Sequence, residues 1–574
     1  MNKIPDNRIL YDAEEARRIY SSSKKKDKKL IITLSAICVL LLATLVLCIC
    51  GFSAVLKGRH SVYTATVKGI YSRSIEQPQY RLSKAELKLD EKWEKAEKDV
   101  DAILDRMYQS YRKGKTEYSS VINVLNAFSQ ISAAADTVGE VRSEVDSIEQ
   151  GRIAYAQAKD LRIAGDMVGA LTAYLAVSEE DTLNYKTAMK KAKEVEAEGR
   201  EGISYKVNTY LCKFDIEGAR SFVNNLSEKL GDNEFIKSEK DRIEAYYTEQ
   251  TDLVTFNGPV EHLFTHCLIA FPELCYSSPS MTASLDEDCV TPLEFTRILD
   301  ALYEKDYILI DINMLINETD DGVEIGEIKV PRGKTPFVFS VDDVTYDSRK
   351  MHTGMVDKLI VDENGRVCTY TLQADGTELI SYENECFPII DEYVRQHPDF
   401  TFRGARGTLC HTGFDGVFGY RTQNEPKEDV DPAYEKEQAL LVAEALRNEG
   451  WTFASHSYGH AQMGDCTVDF VKEDTDKWLA EVTPIIGDTK IMVWPYGNSI
   501  RSGEAHKYLY DHGFKLFCGV GIKPFVAKEP DGLGIFMDRK ALDGYSLRNR
   551  RDKYMYLFDT EEVWDPLRPK EITW

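Results

Sequence analysis

The sequence predicts an α/β protein: a (β/α) barrel preceded by one transmembrane helix and an all-α helical region. Three observations support this fold class. An uncharged run of 27 residues, Leu30 to Leu56, follows a basic block. Apolar residues then recur at helical spacing as far as residue 250. Beyond residue 251, short apolar strands alternate with helix-like stretches, and polar residues follow the strand ends, where α/β barrels place their chemistry.

The composition is that of a folded, acidic protein. Of 574 residues, 43% are hydrophobic and 29% charged, which excludes bulk disorder, a collagen-like chain and a polytopic membrane protein. With 71 Lys and Arg against 95 Asp and Glu, the formal net charge is −24. Because a surface this acidic repels phosphate backbones, we expect no nucleic-acid partner.

The uncharged run at residues 30–56 is long enough to cross a membrane. A helix rises ~1.5 Å per residue, so this run spans ~40 Å, more than the ~30 Å hydrocarbon layer. Seven Lys or Arg lie in residues 15–29 and three in residues 57–71. The positive-inside rule therefore predicts a cytoplasmic basic tail (1–29), a transmembrane helix (30–56) and residues 57–574 outside the cell, on a single-pass cell-membrane protein.

Cysteine usage is less informative. Of 12 cysteines, nine lie beyond the uncharged run and none forms a C-x-x-C pair. The sequence therefore predicts neither a zinc ribbon nor a disulfide framework, and it leaves the pairing of these cysteines open.

Residues 57–150 are predicted to form a helical stalk. One stripe follows 4-3-4-3-4 spacing, which places its members on one face of a helix: Leu89, Trp93, Ala96, Val100, Ile103 and Met107. A second periodic stretch begins near Tyr118. Two such stretches are typical of an antiparallel helical hairpin or of a coiled-coil stalk.

Residues 151–250 contain a repeated motif. Asp166–Ala170 and Asp215–Ala219 share D-x-x-G-A, each between helix-like stretches. The pattern resembles tetratricopeptide-like repeats, although the offset of 49 residues is longer than the usual repeat of about 34. Two interpretations stay open: a docking surface for a protein partner, and a plain helical spacer.

Residues 251–574 are predicted to form the barrel and to be catalytic. Candidate strands lie at 263–270, 307–312, 335–341, 452–455, 490–494 and 516–520, and candidate helices at 292–304, 387–396, 436–449, 467–486 and 502–512. This alternation predicts βα units of a parallel barrel.

Three strand ends carry residues suited to catalysis. Asp342-Asp343 follows one strand, and neighbouring carboxylates there can point differently, one to a metal and one to substrate. His456 and His460 follow another strand at i, i+4 spacing, which on one helical face can hold one divalent ion. The third, Trp494–Gly497, is a Pro-Tyr-Gly turn that presents a backbone N–H and an aromatic ring.

Together, in this order, these motifs resemble the polysaccharide deacetylases, the NodB-type carbohydrate esterases of family 4. Phe339–Asp343 stands where that family has T-F-D-D. Gly450–His460 resembles its G-x-E-I-x-x-H-[ST]-x-x-H stretch, and Ile491–Gly497 resembles its F-R-P-P-Y-G motif. The resemblance covers about residues 255–545. It implies the family's distorted (β/α) barrel and its reaction, the removal of acetyl groups from polysaccharide by a metal-activated water.

The resemblance also implies a role for each matching residue. Asp343, His456 and His460 would bind a divalent metal, with Zn²⁺ favoured and Co²⁺, Ni²⁺ or Mn²⁺ as alternatives. Asp342 would be the general base on the attacking water.

The Trp494-Pro495-Tyr496 turn would complete the site. The Tyr496 backbone N–H would stabilise the tetrahedral oxyanion together with the metal. Trp494, Pro495 and Tyr496 would bind the substrate, and an equal alternative for the two rings is packing at the rim.

The sequence departs from the family pattern at several positions. Val344 replaces the glycine of the first motif, and the family arginine falls on Val493, so the usual salt-bridge partner of the base is missing. No late Leu-x-His is present; Phe536–Arg539 stands near that place. The acid that protonates the leaving amine is therefore unassigned. An insertion is expected near residues 345–386, with Asp362–Arg366 as a hairpin turn.

These observations predict a metal-dependent N-deacetylase of N-acetylglucosamine-containing cell-surface polysaccharide, with peptidoglycan favoured. The predicted partners are the acetylated polysaccharide, the membrane, and a protein at the helical repeats. Two alternatives stay open. One is an O-acetyl esterase on acetylated polysaccharide, and the other is a catalytically weak, wall-binding scaffold protein.

Overall fold

The computed structural model describes residues 62–277, 279–426 and 429–571. They form two compact units. One comprises residues 62–154 and 176–186, and the other comprises residues 155–175 and 187–571. The domain boundaries predicted after residues 150 and 250 stay predictions.

The first unit is helical, as the apolar periodicity predicts. Its helices are Val62–Glu76, Lys84–Leu87, Trp93–Arg112, Tyr118–Phe128 and the first part of Ala135–Ala164, with 3₁₀ turns at Asp90–Lys92 and Ser132–Ala134. Helix Trp93–Arg112 buries one stripe, which includes Ala96, Val100 and Met107 of the predicted spacing. This stripe packs into a core with Val121, Leu125 and Phe128 of the next helix.

The D-x-x-G-A motif is a helix start. The helices that follow residue 164 are Met167–Leu175, Tyr185–Glu198, Arg200–Leu211, Ile216–Leu230 and Glu234–Thr251. Asp166 Oδ1 accepts the Gly169 N–H, and Asp215 Oδ1 accepts the Gly218 N–H, both at 2.8 Å. A Cβ on Gly169 or Gly218 would lie within 2.1 or 2.2 Å of the capping carboxylate, so each glycine is required. The repeat thus encodes N-capped helices, and the tetratricopeptide likeness stays a prediction.

Seven parallel strands close into a barrel in the second unit. The sheet contains β1 (Glu261–His266), β2 (Tyr307–Leu309), β3 (Thr335–Asp342), β4 (Thr408–His411), β5 (Thr452–Ser455), β6 (Ile491–Val493), β7 (Leu516–Val520), β8 (Val526–Lys528) and β9 (Ile535–Ala541). The closed ring runs β3-β4-β5-β6-β7-β9-β1 and returns to β3. β2 pairs with β3 in parallel, and β8 pairs with β9 antiparallel. The predicted α/β barrel is confirmed.

Alternate residues of these strands face opposite sides. One set packs together inside the barrel and includes Val338, Cys410, Ala454, Val493 and Met537. The other set packs against the helices and includes Phe339, Leu409, Phe453, Met492 and Phe536. Because side chains alternate along a strand, Ser340 and Asp342 of β3 continue the inner set, as does Arg539 of β9. The inner row therefore changes from apolar to polar toward the carboxyl ends of the strands.

Helices and small sheets surround the barrel. The helices are Pro272–Cys275, Pro279–Asp288, Pro292–Glu304, Cys386–Gln396, Pro432–Glu449, Val468–Glu481, Thr483–Ile486, Glu504–Asp511, Gly544–Asn549, Arg551–Tyr554 and Thr560–Val563. The 3₁₀ turns are Ile312–Leu315, Ser348–Lys350, Pro398–Phe400, Met463–Asp465 and Pro495–Gly497. Antiparallel pairs join Leu253–Thr255 to Lys329–Pro331 and Ile316–Thr319 to Gly322–Ile325. The insertion expected near 345–386 holds a three-stranded sheet of Lys358–Val361, Val367–Leu372 and Glu378–Ser381.

The structure describes nine cysteines. Eight of these nine are buried, and Cys466 is partly exposed. Their thiols act as small apolar side chains of the core.

The predicted localisation requires a correction. Across residues 62–277, 279–426 and 429–571, no helix combines the length and the apolar character that a membrane crossing needs. The segment on which the prediction rested, residues 30–56, lies outside the described residues. No described helix supports the predicted cell-membrane localisation, so the assignment to the membrane with residues 57–574 outside is withdrawn, and the transmembrane helix of the predicted fold is unsupported.

Candidate metal centre

Two neighbouring aspartates stand at the carboxyl end of β3. Asp342 is the last residue of the strand, and its side chain is 2% exposed. Asp343 follows with a φ of 58°, in the left-handed region. This reversal of the backbone directs the second carboxylate away from the first, as the sequence predicts for a strand-end pair. Non-glycine residues held in this region cost of order 1–3 kcal/mol and concentrate at functional sites.

The two histidines come from a turn and not from a helix. Residues 456–460 follow β5 without helical hydrogen bonding, so the prediction that the histidines share one helical face is wrong. Ser457 and His460 both have a left-handed φ, 54° and 53°. The Asp474 carboxylate of helix Val468–Glu481 accepts the backbone N–H groups of residues 458 and 459 at 2.7 and 2.8 Å. Asp474 therefore fixes the turn that brings the histidines together.

Asp343, His456 and His460 form a set that fits a divalent metal. Each offers one ligand atom, and these atoms lie within 4.8 Å of one another. Asp343 Oδ1 lies 3.9 Å from His456 Nε2 and 3.5 Å from His460 Nε2. His456 Nδ1 donates to the Val493 carbonyl at 2.9 Å, which leaves Nε2 free to coordinate. A donor set of two imidazoles and one carboxylate suits Zn²⁺ or a related ion and leaves open positions.

The protonation states also favour metal binding. Burial lowers the pKa of His456 to about 4, against the opposing effect of the two aspartates. Burial raises the pKa of Asp343, but Lys350 and the two histidines outweigh it, so this pKa lies below its ordinary value. Near pH 7 the site therefore offers a neutral imidazole and a carboxylate, the forms that bind metals.

Arg539 is the partner of Asp342 and supplies the charge that the sequence motif lacks at Val493. Its Nη1 donates to Asp342 Oδ1 at 2.7 Å and its Nη2 to Oδ2 at 2.9 Å. Burial raises the pKa of Asp342, yet Arg539 and His456 outweigh it and hold the pKa below the usual range. Asp342 thus stays ionised, through an arginine on β9 instead of β6.

Arg539 is itself held in place on all sides. Its Nε donates to the Gly519 carbonyl at 3.2 Å, and its Nη1 to Ser340 Oγ at 3.2 Å. Its guanidinium carbon lies 4.1 Å from the ring centroid of Phe264. Ser340 Oγ continues the chain to His262 Nε2 at 2.9 Å. These contacts fix the fork in the orientation that bidentate binding requires.

The Trp494–Gly497 turn places its residues in different environments. Trp494 is fully buried and stacks on Phe517, with ring centroids 5.9 Å apart, and Pro495 is buried too. Neither side chain is open to a ligand in this conformation. Tyr496 is 66% exposed, has a φ of 57°, and its hydroxyl lies 3.1 Å from His460 Nδ1. The described hydrogen bonds leave the Tyr496 N–H unused, as an oxyanion donor requires.

A cavity of 370 Å³ opens beside the metal ligands. Residues from the metal centre and from the insertion after β3 line it, among them Asp343, Lys350, Met355, Phe414, His460 and Tyr496. The cavity therefore gives a ligand access to Asp343 and His460.

His266 lies next to the aspartate pair and had no place in the sequence prediction. It is the last residue of β1, in register with Asp342 of β3. A positive charge on His266 would help to lower the pKa of both Asp342 and Asp343. His266 Nδ1 donates to the Asp288 carbonyl at 2.9 Å, so Nε2 is available to another partner. The sequence did contain an indication of this site residue, because His266 is a polar residue within the predicted apolar strand 263–270.

Comparisons with known proteins give little support for an identity. No family model matches the chain, and no curated protein matches it. One solved structure that resembles it is the Streptococcus pyogenes deacetylase PplD in complex with acetate. That likeness has 13% identity and a TM-score of 0.30, and it covers 50% of this chain and 93% of that chain. At this level the likeness carries no argument about activity, which must be argued from the site.

Proposed function

We propose that the protein is a metal-dependent N-deacetylase of N-acetylglucosamine-containing polysaccharide, with peptidoglycan as the favoured polymer. One observation carries the proposal: three residues that could hold a metal ion lie beside the buried, ionised Asp342, with His456 Nε2 only 3.8 Å from Asp342 Oδ2. A base and a metal that share one reacting water are what amide hydrolysis needs.

Asp343, His456 and His460 would hold the metal, with Zn²⁺ favoured and Co²⁺, Ni²⁺ or Mn²⁺ as alternatives. When bound, the metal supplies a Lewis acid that polarises the acetyl carbonyl and acidifies the attacking water. Asp342 would accept the proton of the attacking water as general base. Arg539 keeps Asp342 ionised and oriented before the reaction, because its two N–H groups occupy both carboxylate oxygens from the side of the barrel interior.

The Tyr496 backbone N–H would stabilise the oxyanion of the tetrahedral intermediate. Tyr496 has a left-handed φ of 57°, and no described hydrogen bond uses its N–H. The Tyr496 ring lies 4.6 Å from the His460 ring and is exposed at the cavity. It is the residue of the turn that is best placed to contact a sugar.

His266 is our candidate for the proton donor to the leaving amine. Amine departure requires a proton on nitrogen, and an imidazole is the side chain best suited to supply it near neutral pH. His266 lies at the carboxyl end of β1, on the side of β3 opposite to β4. The metal-binding histidines follow β5, beyond β4, so acid and metal would flank the substrate.

The two alternatives predict different outcomes. An O-acetyl esterase would use the same base and metal, but an alcohol leaves without the strict need for an acid. The catalytically weak scaffold was suggested by the missing arginine and the missing late histidine. Arg539 and His266 supply groups of both kinds, which favours an active enzyme.

Acetate release tests the proposal. The purified full chain would be stripped with a chelator, reloaded with Zn²⁺, and incubated with N-acetylglucosamine oligomers, peptidoglycan and O-acetylated xylan. We expect metal-dependent acetate from the N-acetylated substrates. Acetate from xylan alone would identify an esterase, and no acetate from a chain shown by elemental analysis to hold one metal would contradict the proposed activity.

A further inference from the structure

Lys350 places a positive charge in the cavity beside the proposed metal ligands, and the proposed mechanism gives this charge no role. It ends the 3₁₀ turn Ser348–Lys350 in the insertion after β3 and lines the cavity with Asp343, His460 and Tyr496. Its Nζ lies 4.0 Å from Asp343 Oδ2, and 30% of the side chain is exposed. The acetyl group that reacts would lie at the metal ligands. The Lys350 ammonium is therefore close enough to contact another substituent of the same sugar ring.

The Lys350 ammonium lacks a hydrogen-bond acceptor within the described part of the chain. Its one ion pair there, to Asp343, is too long for a hydrogen bond. The neighbouring Arg349 differs, because its Nε donates to Asp347 Oδ1 and Oδ2 at 2.9 and 2.7 Å. Arg349 is thus already paired, whereas the three donors of Lys350 remain available. A partly buried ammonium without acceptors is unfavourable until an anion joins it.

Asp343 does not satisfy this requirement in the working enzyme. The proposed function assigns its carboxylate to the metal, and a bound cation dominates the local charge. The molecule as a whole carries a formal net charge of −24, which repels anionic polymers. The positive charge of Lys350 in the cavity locally opposes this negative net charge, at the place where a substrate would enter.

We propose that Lys350 binds a carboxylate of the substrate. The substrate class is then an N-acetylated amino sugar that carries a carboxylate close to its acetamido group, in preference to a neutral N-acetylglucosamine polymer. This inference rests on the proposed deacetylase function and narrows its substrate. The contact is a charge-assisted hydrogen bond from the ammonium to a carboxylate oxygen, about twice as strong as a neutral one.

The test compares one sugar in two charge states. The probes are oligomers that contain N-acetylmuramic acid, with its lactyl carboxylate free or as the methyl ester. For the metal-loaded full chain we expect kcat/KM for acetate release to be ~10- to 100-fold higher on the acid than on the ester, the usual effect of a hydrogen bond to a charged group. In Lys350→Met this ratio should fall to about one. The ratio cancels any effect of the substitution on metal loading.

Two control variants sharpen the comparison. Lys350→Arg should retain a preference for the acid. Lys507→Met removes the same charge from an exposed side chain on helix Glu504–Asp511, and its ratio should equal that of the unchanged protein. Equal rates on acid and ester in the unchanged protein would overturn the proposal. So would a Lys350→Met variant that lowers both rates by the same factor, since the lysine would then act on the acetyl group common to both.

Calorimetric binding of the same two probes separates this inference from the proposed function. If the full chain releases acetate neither from these probes nor from N-acetylglucosamine oligomers, the deacetylase proposal fails. A preference in Kd for the acid that disappears in Lys350→Met would still support the carboxylate site, and equal Kd values for acid and ester would overturn it. Thermal unfolding of each variant checks that it is folded.

Discussion

Asp342 and Asp343 are adjacent in the chain, yet their carboxylates have different partners. Asp342 is bound on both oxygens by Arg539, whereas Asp343 faces two imidazoles. We expect Asp343→Asn to lose metal and activity together, because it removes the one charged ligand. Asp342→Asn should retain metal while its rate falls ~10²–10⁴-fold, the usual contribution of a positioned general base. Elemental analysis and initial rates measure both effects.

One control is needed for this pair. Asp342→Asn leaves the buried Arg539 without a charged partner, which lowers the free energy of unfolding. Rates should therefore be compared well below the Tm of each variant. Full metal content in Asp343→Asn, or wild-type activity in Asp342→Asn, would show that the roles are wrongly assigned.

Arg539 is expected to set the acid limb of the pH–rate profile. It helps to hold the pKa of Asp342 below its ordinary value, so its removal raises that pKa. The base is active when ionised, and the acid limb of kcat/KM should therefore move to higher pH in Arg539→Met. Arg539→Lys, which keeps the charge but loses the fork, should show a smaller shift. An unchanged acid limb in Arg539→Met, with metal content intact, would exclude this role.

His266 can be tested through the leaving group. An amine needs a proton in order to depart, whereas 4-nitrophenolate does not. His266→Gln should lower the rate on N-acetylated sugars by about 10²-fold or more and change 4-nitrophenyl acetate hydrolysis by less than about 5-fold. Equal losses on both substrates would instead point to damage of the metal site or the base.

The sequence predicts those site residues that lie close together in the chain. Asp342-Asp343 and the two histidines each lie in one short motif, so their spacing identified them. Arg539 and His266 come from strands far away in the chain, and only the closed order of the barrel makes them neighbours of Asp342. Trp494 shows the converse: its motif was recognised, but strand alternation, which decides burial, placed its ring in the core.

Among the single elements, helix Cys386–Gln396 begins after a buried carboxyl group, Glu385, whose pKa is raised. Glu385 is fully buried and accepts the N–H groups of Cys386 and Leu268 and the Tyr346 hydroxyl. Burial raises its pKa to about 7, from 4.5. The folded state therefore binds this proton more tightly than the unfolded chain, and the free energy of unfolding should fall as pH rises from about 4.5 to 7.

Glu385→Gln tests this effect on stability. The amide keeps an acceptor for the two N–H groups but cannot ionise, so the variant should lose the part of the pH dependence that Glu385 causes, on the order of 3 kcal/mol between pH 5 and pH 8. Urea unfolding at the two pH values measures it. A variant with the same pH slope as the unchanged protein would show that Glu385 ionises freely in the folded state.

Strands and helices were predicted best where their signals are local. Helix Pro292–Glu304 begins with a capping box at Thr291 and Glu294, and strands β5 and β7 have the bounds that their apolar runs indicate. The turn at 456–460 was misread because i, i+4 spacing also occurs without a helix. In a helix, backbone carbonyls would accept the N–H groups of residues 458 and 459. Here the Asp474 carboxylate, in the following helix, accepts them instead.

For the whole molecule, the helices before the barrel are expected to determine its stability. Within the second unit, Lys213 Nζ lies 3.0 Å from Glu449 Oε1, and the buried Arg406 donates to the Cys212 carbonyl at 3.2 Å. A chain that begins at residue 252 loses these partners, and one that begins at residue 187 keeps them. We expect the shorter chain to melt about 5–10 °C lower. Calorimetry on both measures this, and equal Tm values would show that the helices are independent of the barrel.

The closure of the ring by β1 and β9 has a consequence for biosynthesis. These strands lie at opposite ends of the barrel sequence, and Lys540 pairs with Leu263. While the ribosome is still translating the middle of the domain, β1 has one neighbour and an open edge, and such edges recruit other strands. Asp343, His456 and His460 all precede Arg539 in the chain, so the three proposed metal ligands are synthesised before the partner of Asp342. The barrel therefore cannot close, and Asp342 cannot pair with Arg539, until β9, the last strand of the ring, has been synthesised.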